Sequence, residues 1–315
     1  MGRRFFPVPF AKRSVLRKRN RGAVAIRREV AYMTGVIDVG GGMRGIYGAG
    51  VFDYCMDSGI AFDYCIGVSA GSANLAAYLS NQRGRNYRFY TEYAFRRQYM
   101  SLGNLLRTGS YIDLDYIYGA LSNRDGENPL DFDAFRKSAA QMKVVALNAL
   151  NGSAVYFSKS DVAQDDYKIL KASSCIPVVC RPYFVDGVPC YDGGLADPVP
   201  LKKAFADGCD RVVVILTKPR DFRRSRGSDE RLARILRRRY PKAAEQLLLR
   251  YRKYNRGVDL AKIYEQEGKV LIVSPDTISG MNTLTKDRNV MDRLYRKGYR
   301  DAAAISEFLK QRFVK

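Results

Sequence analysis

Residues 62–71 read Phe-Asp-Tyr-Cys-Ile-Gly-Val-Ser-Ala-Gly. An apolar run ends in Gly67-Val68-Ser69-Ala70-Gly71, a GxSxG motif, and the small residues of AGSANLAAYLS (70–80) follow. The run predicts a buried strand over 62–69 and the following stretch a helix over 70–80. A serine at that junction sits on a cramped strand-to-helix turn, so Gly67 and Gly71, two positions away on either side, must be small. Such a turn exposes the hydroxyl at the carboxyl end of the sheet, where α/β proteins place their sites. The start of the helix adds N–H groups that favour negative charge.

Upstream, GVIDVGGG reads as a buried strand from Gly35 that ends in glycines, and 48–59 reads as a helix stopped at Gly59. Downstream, MKVVALNALNGSAVYFSK reads as two strands joined at Asn151-Gly152, and PYFVDGVPCYDGG repeats the hairpin at Asp186-Gly187. DYKILKASS and LKKAFADGC read as helices, RVVVILTK and KVLIVSPD as strands, and 228–267 and about 287–313 as helical. Strands alternating with helices predict an α/β domain with a mostly parallel sheet covered on both faces.

Gly40-Gly41-Gly42-Met43-Arg44-Gly45 fits GxGxxG after the first strand. A dinucleotide site would want an acid at the end of the second strand. Asp63 stands at that strand's start, and Ser69 holds its end. A glycine loop beside a nucleophilic serine reads better as an oxyanion hole, because bare backbone lets N–H groups approach a developing negative oxygen. The nucleotide reading stays as the rival. Asp192-Gly193-Gly194 closes the second hairpin and by itself reads as a turn.

The chain has no histidine, which excludes a Ser-His-Asp or Cys-His arrangement and a histidine-containing zinc site. The six cysteines include no CxxC and match no metal-finger spacing, so they read as reduced core thiols of a cytoplasmic protein. No stretch approaches the roughly 18 apolar residues of a membrane span, and the basic N-terminus lacks the apolar segment of a secretory signal. The hydrophobic fraction of 46% suffices for a large core.

The net charge of +22 is uneven. Residues 1–33 carry +9 and residues 218–262 carry +11, so the rest is near neutral. Both basic segments lie apart in sequence from the motifs. They suggest anionic partners, with a lipid surface first, since no nucleic-acid fold motif is present. Residues 1–33 read as a basic, poorly ordered extension, and Met33 directly before TGVIDVGGG marks an alternative start. Residues 87–118 interleave tyrosine and phenylalanine with arginine, a composition suited to a lid or acyl-chain wall at a lipid boundary.

Taken in order, the glycine loop, GxSxG after strand two and Asp-Gly-Gly more than 100 residues later resemble the patatin-like phospholipase family. The likeness runs from about Thr34 to Thr217. It implies a three-layer α/β/α domain over 34–217, with the basic helical region 218–315 packed on it, and hydrolysis of a lipid-like carboxylic ester without metal or organic cofactor. It also implies a Ser-Asp dyad of Ser69 as nucleophile and Asp192 as base. The oxyanion loop would be Gly40 to Gly45, with backbone donors at Gly41 and Gly42, joined by Ala70 after the serine. Arg44 matches the basic residue of that loop, and Gly194 stands where many members carry alanine. The C-terminal region looks like the bacterial branch of the family. Three readings remain: ester hydrolysis, acyl transfer to an alcohol, and a catalytically silent basic binding protein on the same fold. Oligomeric state is not legible.

Overall fold

The computed structural model describes residues 32–227 and 229–311. The expectation of a poorly ordered basic extension therefore falls, but for its last two residues, outside the described residues.

Among the described residues, eight strands form one sheet: β1 Thr34–Asp38, β2 Tyr64–Val68, β3 Gln141–Asn148, β4 Ala154–Ser158, β5 Tyr183–Val185, β6 Val188–Asp192, β7 Arg211–Ile215 and β8 Val270–Val273. Their order is β5-β6-β3-β2-β1-β7-β8, with β4 also on β3. The five strands β3-β2-β1-β7-β8 run parallel. The two hairpins marked by Asn151-Gly152 and Asp186-Gly187 supply the antiparallel pairs. From β1 the chain builds outward through β2 to β3, then returns to lay β7 and β8 on the other side. Loops leaving β1, β2 and β7 therefore converge at a topological switch point, where open α/β sheets bind ligands.

The helices are α1 Ile46–Asp57, α2 Ala70–Leu79, α3 Arg85–Thr91, α4 Leu102–Thr108, α5 Phe132–Lys137, α6 Lys168–Ser173, α7 Leu201–Ala206, α8 Asp229–Leu236, α9 Pro241–Gln266, α10 Arg288–Asp301 and α11 Ala303–Lys310. Central strands are buried on both faces, which is why they read as continuous apolar runs. Val36, Val213 and Ile215 pack with α1, α2 and α10. Their neighbours Ile37, Val212 and Val214 pack on the opposite face with α7 and α9. Two cores separated by one sheet make the three-layer α/β/α arrangement.

Boundaries moved by a few residues from the sequence reading. The first helix begins at Ile46, because Gly42–Gly45 forms a tight turn that feeds it. The helical stretch 228–267 divides into α8 and α9 at Pro241, which fits the first turn of a helix but not its interior. All six cysteines are buried and free. No helix among the described residues is long and apolar enough to cross a membrane.

Candidate active site

Ser69 joins β2 to α2 with φ 56° and ψ −131°, a strained conformation for a residue with a Cβ. The surroundings impose it. Beside a Cβ at Gly67 would lie the backbone of Ser72, and beside one at Gly71 the carbonyl of Asp38, so both positions require glycine. From α6, Ser173 locks the turn: its hydroxyl accepts from the Ser69 N–H at 2.9 Å, donates to the Val145 carbonyl at 2.6 Å and meets the Ser72 hydroxyl at 3.1 Å.

Asp192 ends β6, opposite Ala146 of β3. Its Oδ1 accepts from the Gly194 N–H at 2.7 Å. Burial drives its pKa up, while the neighbouring Ser69 side chain and the Gly194 N–H act to lower it. Ser69 and Asp192 are 7% and 8% exposed, so both side chains are largely shielded from water. A side chain at Gly193 would meet the Val145 carbonyl, so the turn after Asp192 packs directly on β3. Lys253 of α9 donates to the Leu195 carbonyl at 3.2 Å and to the Ala196 carbonyl at 2.8 Å, fixing the chain that follows.

In the glycine loop, Gly40, Gly41 and Gly42 all have positive φ, at 62°, 133° and 60°. The sequence reading puts the backbone donors at Gly41 and Gly42 within a loop from Gly40 to Gly45, and the members of that loop have different partners. The Gly40 N–H donates to Asp38 Oδ1 at 2.9 Å, and its carbonyl accepts from the Thr217 hydroxyl, so Gly40 shapes the loop rather than offering its amide. Gly45 lies outside both cavity walls; its carbonyl accepts from Asn74 at 2.8 Å, and Tyr90 and Ala70 fill the space beside it. The Gly41 and Gly42 amides have no hydrogen-bond partner among the described residues. Arg44 is buried, donates to the Thr283 hydroxyl at 3.3 Å, and leaves its Nε without a partner.

Two cavities meet at Ser69. Both are walled by Gly42, Ser69, Ile176, Thr283 and Leu284. One is an aromatic cleft against Ala70, Phe89, Tyr90, Tyr99 and Tyr118. The aromatic segment therefore divides: these rings face the cleft, while Tyr87 bonds Asp292 and Tyr93 bonds the Glu127 carbonyl. The other, of about 410 Å³, holds Asp192, Gly194, Gly40, Gly41 and Arg44. Lys218, Arg224 and Arg250 also line it, so the basic segment is not remote from the motifs as its sequence position suggested. Folding turns these cations inward. Asp63, the dinucleotide candidate, accepts from the Thr34 N–H at 2.8 Å and serves strand register instead.

Several residues escaped the sequence reading. Asp38 is wholly buried, accepts from Gly40 and from Asn74 Nδ2 at 2.8 Å, and is pushed up to about 6 by burial. Its signal was a lone acid inside the apolar GVIDVGGG. Ser173 and the C-terminal Thr283 had no local signal, since only tertiary packing brings them to the loop.

A patatin-like phospholipase family model matches residues 39–205, just over half the chain. A domain of unknown function, DUF6363, matches residues 240–313. The chain is 32% identical over 185 residues to the uncharacterized protein YjjU of Escherichia coli (strain K12), covering 57% of this chain. It spans about half that relative's length, 50%. Among solved structures, VipD from Legionella pneumophila superposes with TM-score 0.44 at 15% identity, covering 88% of this chain and 67% of that one. With the glycine loop, the strained serine and Asp-Gly-Gly inside the matched segment, this chain belongs to the patatin-like phospholipase family.

Proposed function

We propose that this protein hydrolyses a carboxylic ester of a lipid-like substrate through a Ser69–Asp192 dyad. The observation that carries the reading is a serine on a strained elbow sharing one cavity with a buried carboxylate, in a chain with no histidine. Asp is a poor base at its ordinary pKa. Burial makes it a better one and would strengthen a hydrogen bond that it accepts from the serine. Ser69 Oγ attacks the ester carbonyl while its proton passes to Asp192. The N–H groups of Gly41, Gly42 and Ala70 stabilise the oxyanion. Collapse breaks the C–O bond, and Asp192 returns the proton to the leaving alcohol. Water, deprotonated by Asp192, then releases the acid and restores Ser69. The aromatic cleft suits the acyl chain.

Peripheral contact with anionic membrane completes the proposal. Arg234, Arg237, Arg238 and Arg239 are exposed and form no ion pair among the described residues, and Ile235 is exposed beside them. The six unbridged thiols support a reducing, cytoplasmic setting.

The test is hydrolysis of p-nitrophenyl butyrate with fluorophosphonate labelling. Ser69→Ala and Asp192→Asn should each lose activity by roughly a thousandfold or more, since nucleophile and base act as a unit. Ser69→Ala should also lose the label, and both should keep the wild-type circular dichroism. An active Asp192→Asn enzyme would remove the dyad. An unlabelled, inactive wild type would favour the silent binding protein.

A further inference from the structure

The larger cavity is more cationic than a hydrolytic site needs. Arg44, Lys218, Arg224 and Arg250 line it, against Asp229 and the dyad's own Asp192. Asp229, almost fully buried, offsets chiefly Arg250: it accepts from Nε at 3.0 Å and again from Nη2, while Arg224 approaches at 3.6 Å. Lys218 makes no ion pair or hydrogen bond among the described residues and rests 3.6 Å from the centre of the Phe222 ring. Arg44 Nε and Arg224 Nε are buried and unpartnered. Burying cations without matched acceptors is costly, and an anion entering the cavity would supply what is missing. Guanidinium pairs suit phosphate oxygens, and, the dyad's Asp192 aside, no unpaired carboxylate among the described residues waits there for a cationic head group.

We propose that this cluster is a phosphate-binding subsite selecting acyl esters whose head group is a phosphate without a cation, such as a phosphomonoester. The inference rests on the Ser69 hydrolase reading. The acyl chain would occupy the aromatic cleft, the scissile carbonyl would lie at Ser69 where the cavities meet, and the phosphate would lie among Arg44, Lys218, Arg224 and Arg250. Arg250 lies in the segment matched by the domain of unknown function, so that segment gains a role in substrate selection.

The substrates to compare are a short-chain lysophosphatidate, lysophosphatidylcholine and monoacylglycerol with one acyl group. Wild type should prefer lysophosphatidate by about tenfold or more in kcat/KM over each of the others, the size of one charge-assisted contact. Lys218→Gln and Arg224→Gln should each shrink that preference about tenfold, chiefly through KM. Lys218→Gln disturbs no ion pair, so it remains informative if Arg224→Gln folds poorly. Inorganic phosphate should compete with p-nitrophenyl butyrate in wild type and more weakly in Lys218→Gln. If phosphate competes but lysophosphatidate is not preferred, the site serves free phosphate and head-group selection is wrong. Burial, with Arg44 of the glycine loop, Arg224 before α8 and Arg250 of α9, pulls Lys218 down to about 7 against Asp229 of α8. The preference should therefore fall as pH rises past about 7. Butyrate hydrolysis with no phosphate preference overturns the subsite and leaves the hydrolase. Phosphate binding by calorimetry that Lys218→Gln weakens, without hydrolysis of any ester, overturns the hydrolase and leaves the subsite.

Discussion

Asp38 shows how one buried carboxyl organises the glycine loop. Its two oxygens are shared between the Gly40 N–H and Asn74 Nδ2, and Asn74 in turn holds the Gly45 carbonyl. Folding moves its pKa from 3.8 to about 6. Between those values the folded protein holds a proton that the unfolded chain has lost, so this group makes stability fall as pH rises through that window. The full effect is about 3 kcal/mol. Thermal melts from about pH 4 to pH 6 should therefore slope less for Asp38→Asn than for wild type. Parallel slopes would show that Asp38 does not titrate there. Asparagine offers one acceptor oxygen where two N–H donors converge, so ester turnover should also fall in that variant.

At the scale of elements, the C-terminal helices are built into the layer that carries the glycine loop and α1. Helix α10 crosses α1 at close range, and glycine makes that approach possible from both sides. A side chain at Gly298 would overlap the Tyr47 carbonyl, and one at Gly50 would overlap the Tyr295 carbonyl. Tyr295 donates to Asp53 at 2.6 Å and Tyr47 to Asp301 at 2.8 Å, so the crossing is also pinned by polar contacts. Gly298→Ala should destabilise the protein by about 1–3 kcal/mol, the usual result of overpacking. Because the loop before α10 carries Thr283 onto Met43 and Arg44, the same variant should lower ester turnover as well as the denaturation midpoint. A variant with wild-type stability would show that the helices separate without cost.

For the whole molecule, charge divides into inward and outward populations. Lys218, Arg224 and Arg250 turn into the cavity, and Arg220, Arg223 and Lys262 pair with Glu265, Asp259 and Asp221. Exposed and without an ion pair among the described residues is the arginine run from α8 into the turn before α9. Each such residue contributes about 1 kcal/mol near an anionic membrane, within a Debye length. Replacing Arg234, Arg237, Arg238 and Arg239 with glutamine should weaken sedimentation with phosphatidylserine vesicles by an order of magnitude or more. Raising salt should release the wild type. Equal binding to neutral and anionic vesicles would rule this surface out, and preference for DNA would assign it to another partner.

The sequence by itself determined the parallel α/β core, both hairpins and the positions of Ser69, Asp192 and the glycine loop. Those features are local: apolar runs of strand length, turn dipeptides such as Asn151-Gly152, and glycines that a cramped turn demands. It could not show what occupies the Gly40 amide, because that depends on Asp38 lying beneath it. Nor could it see Ser173 under the elbow or Thr283 over the loop, separated by 104 and 239 residues from the groups they hold. The basic segment is the sharpest case. A charge count over 218–262 reads the same whether its cations face solvent or a cavity. Only packing α9 against the sheet, with Asp229 buried beside Arg250, decided that some of that charge belongs to the site.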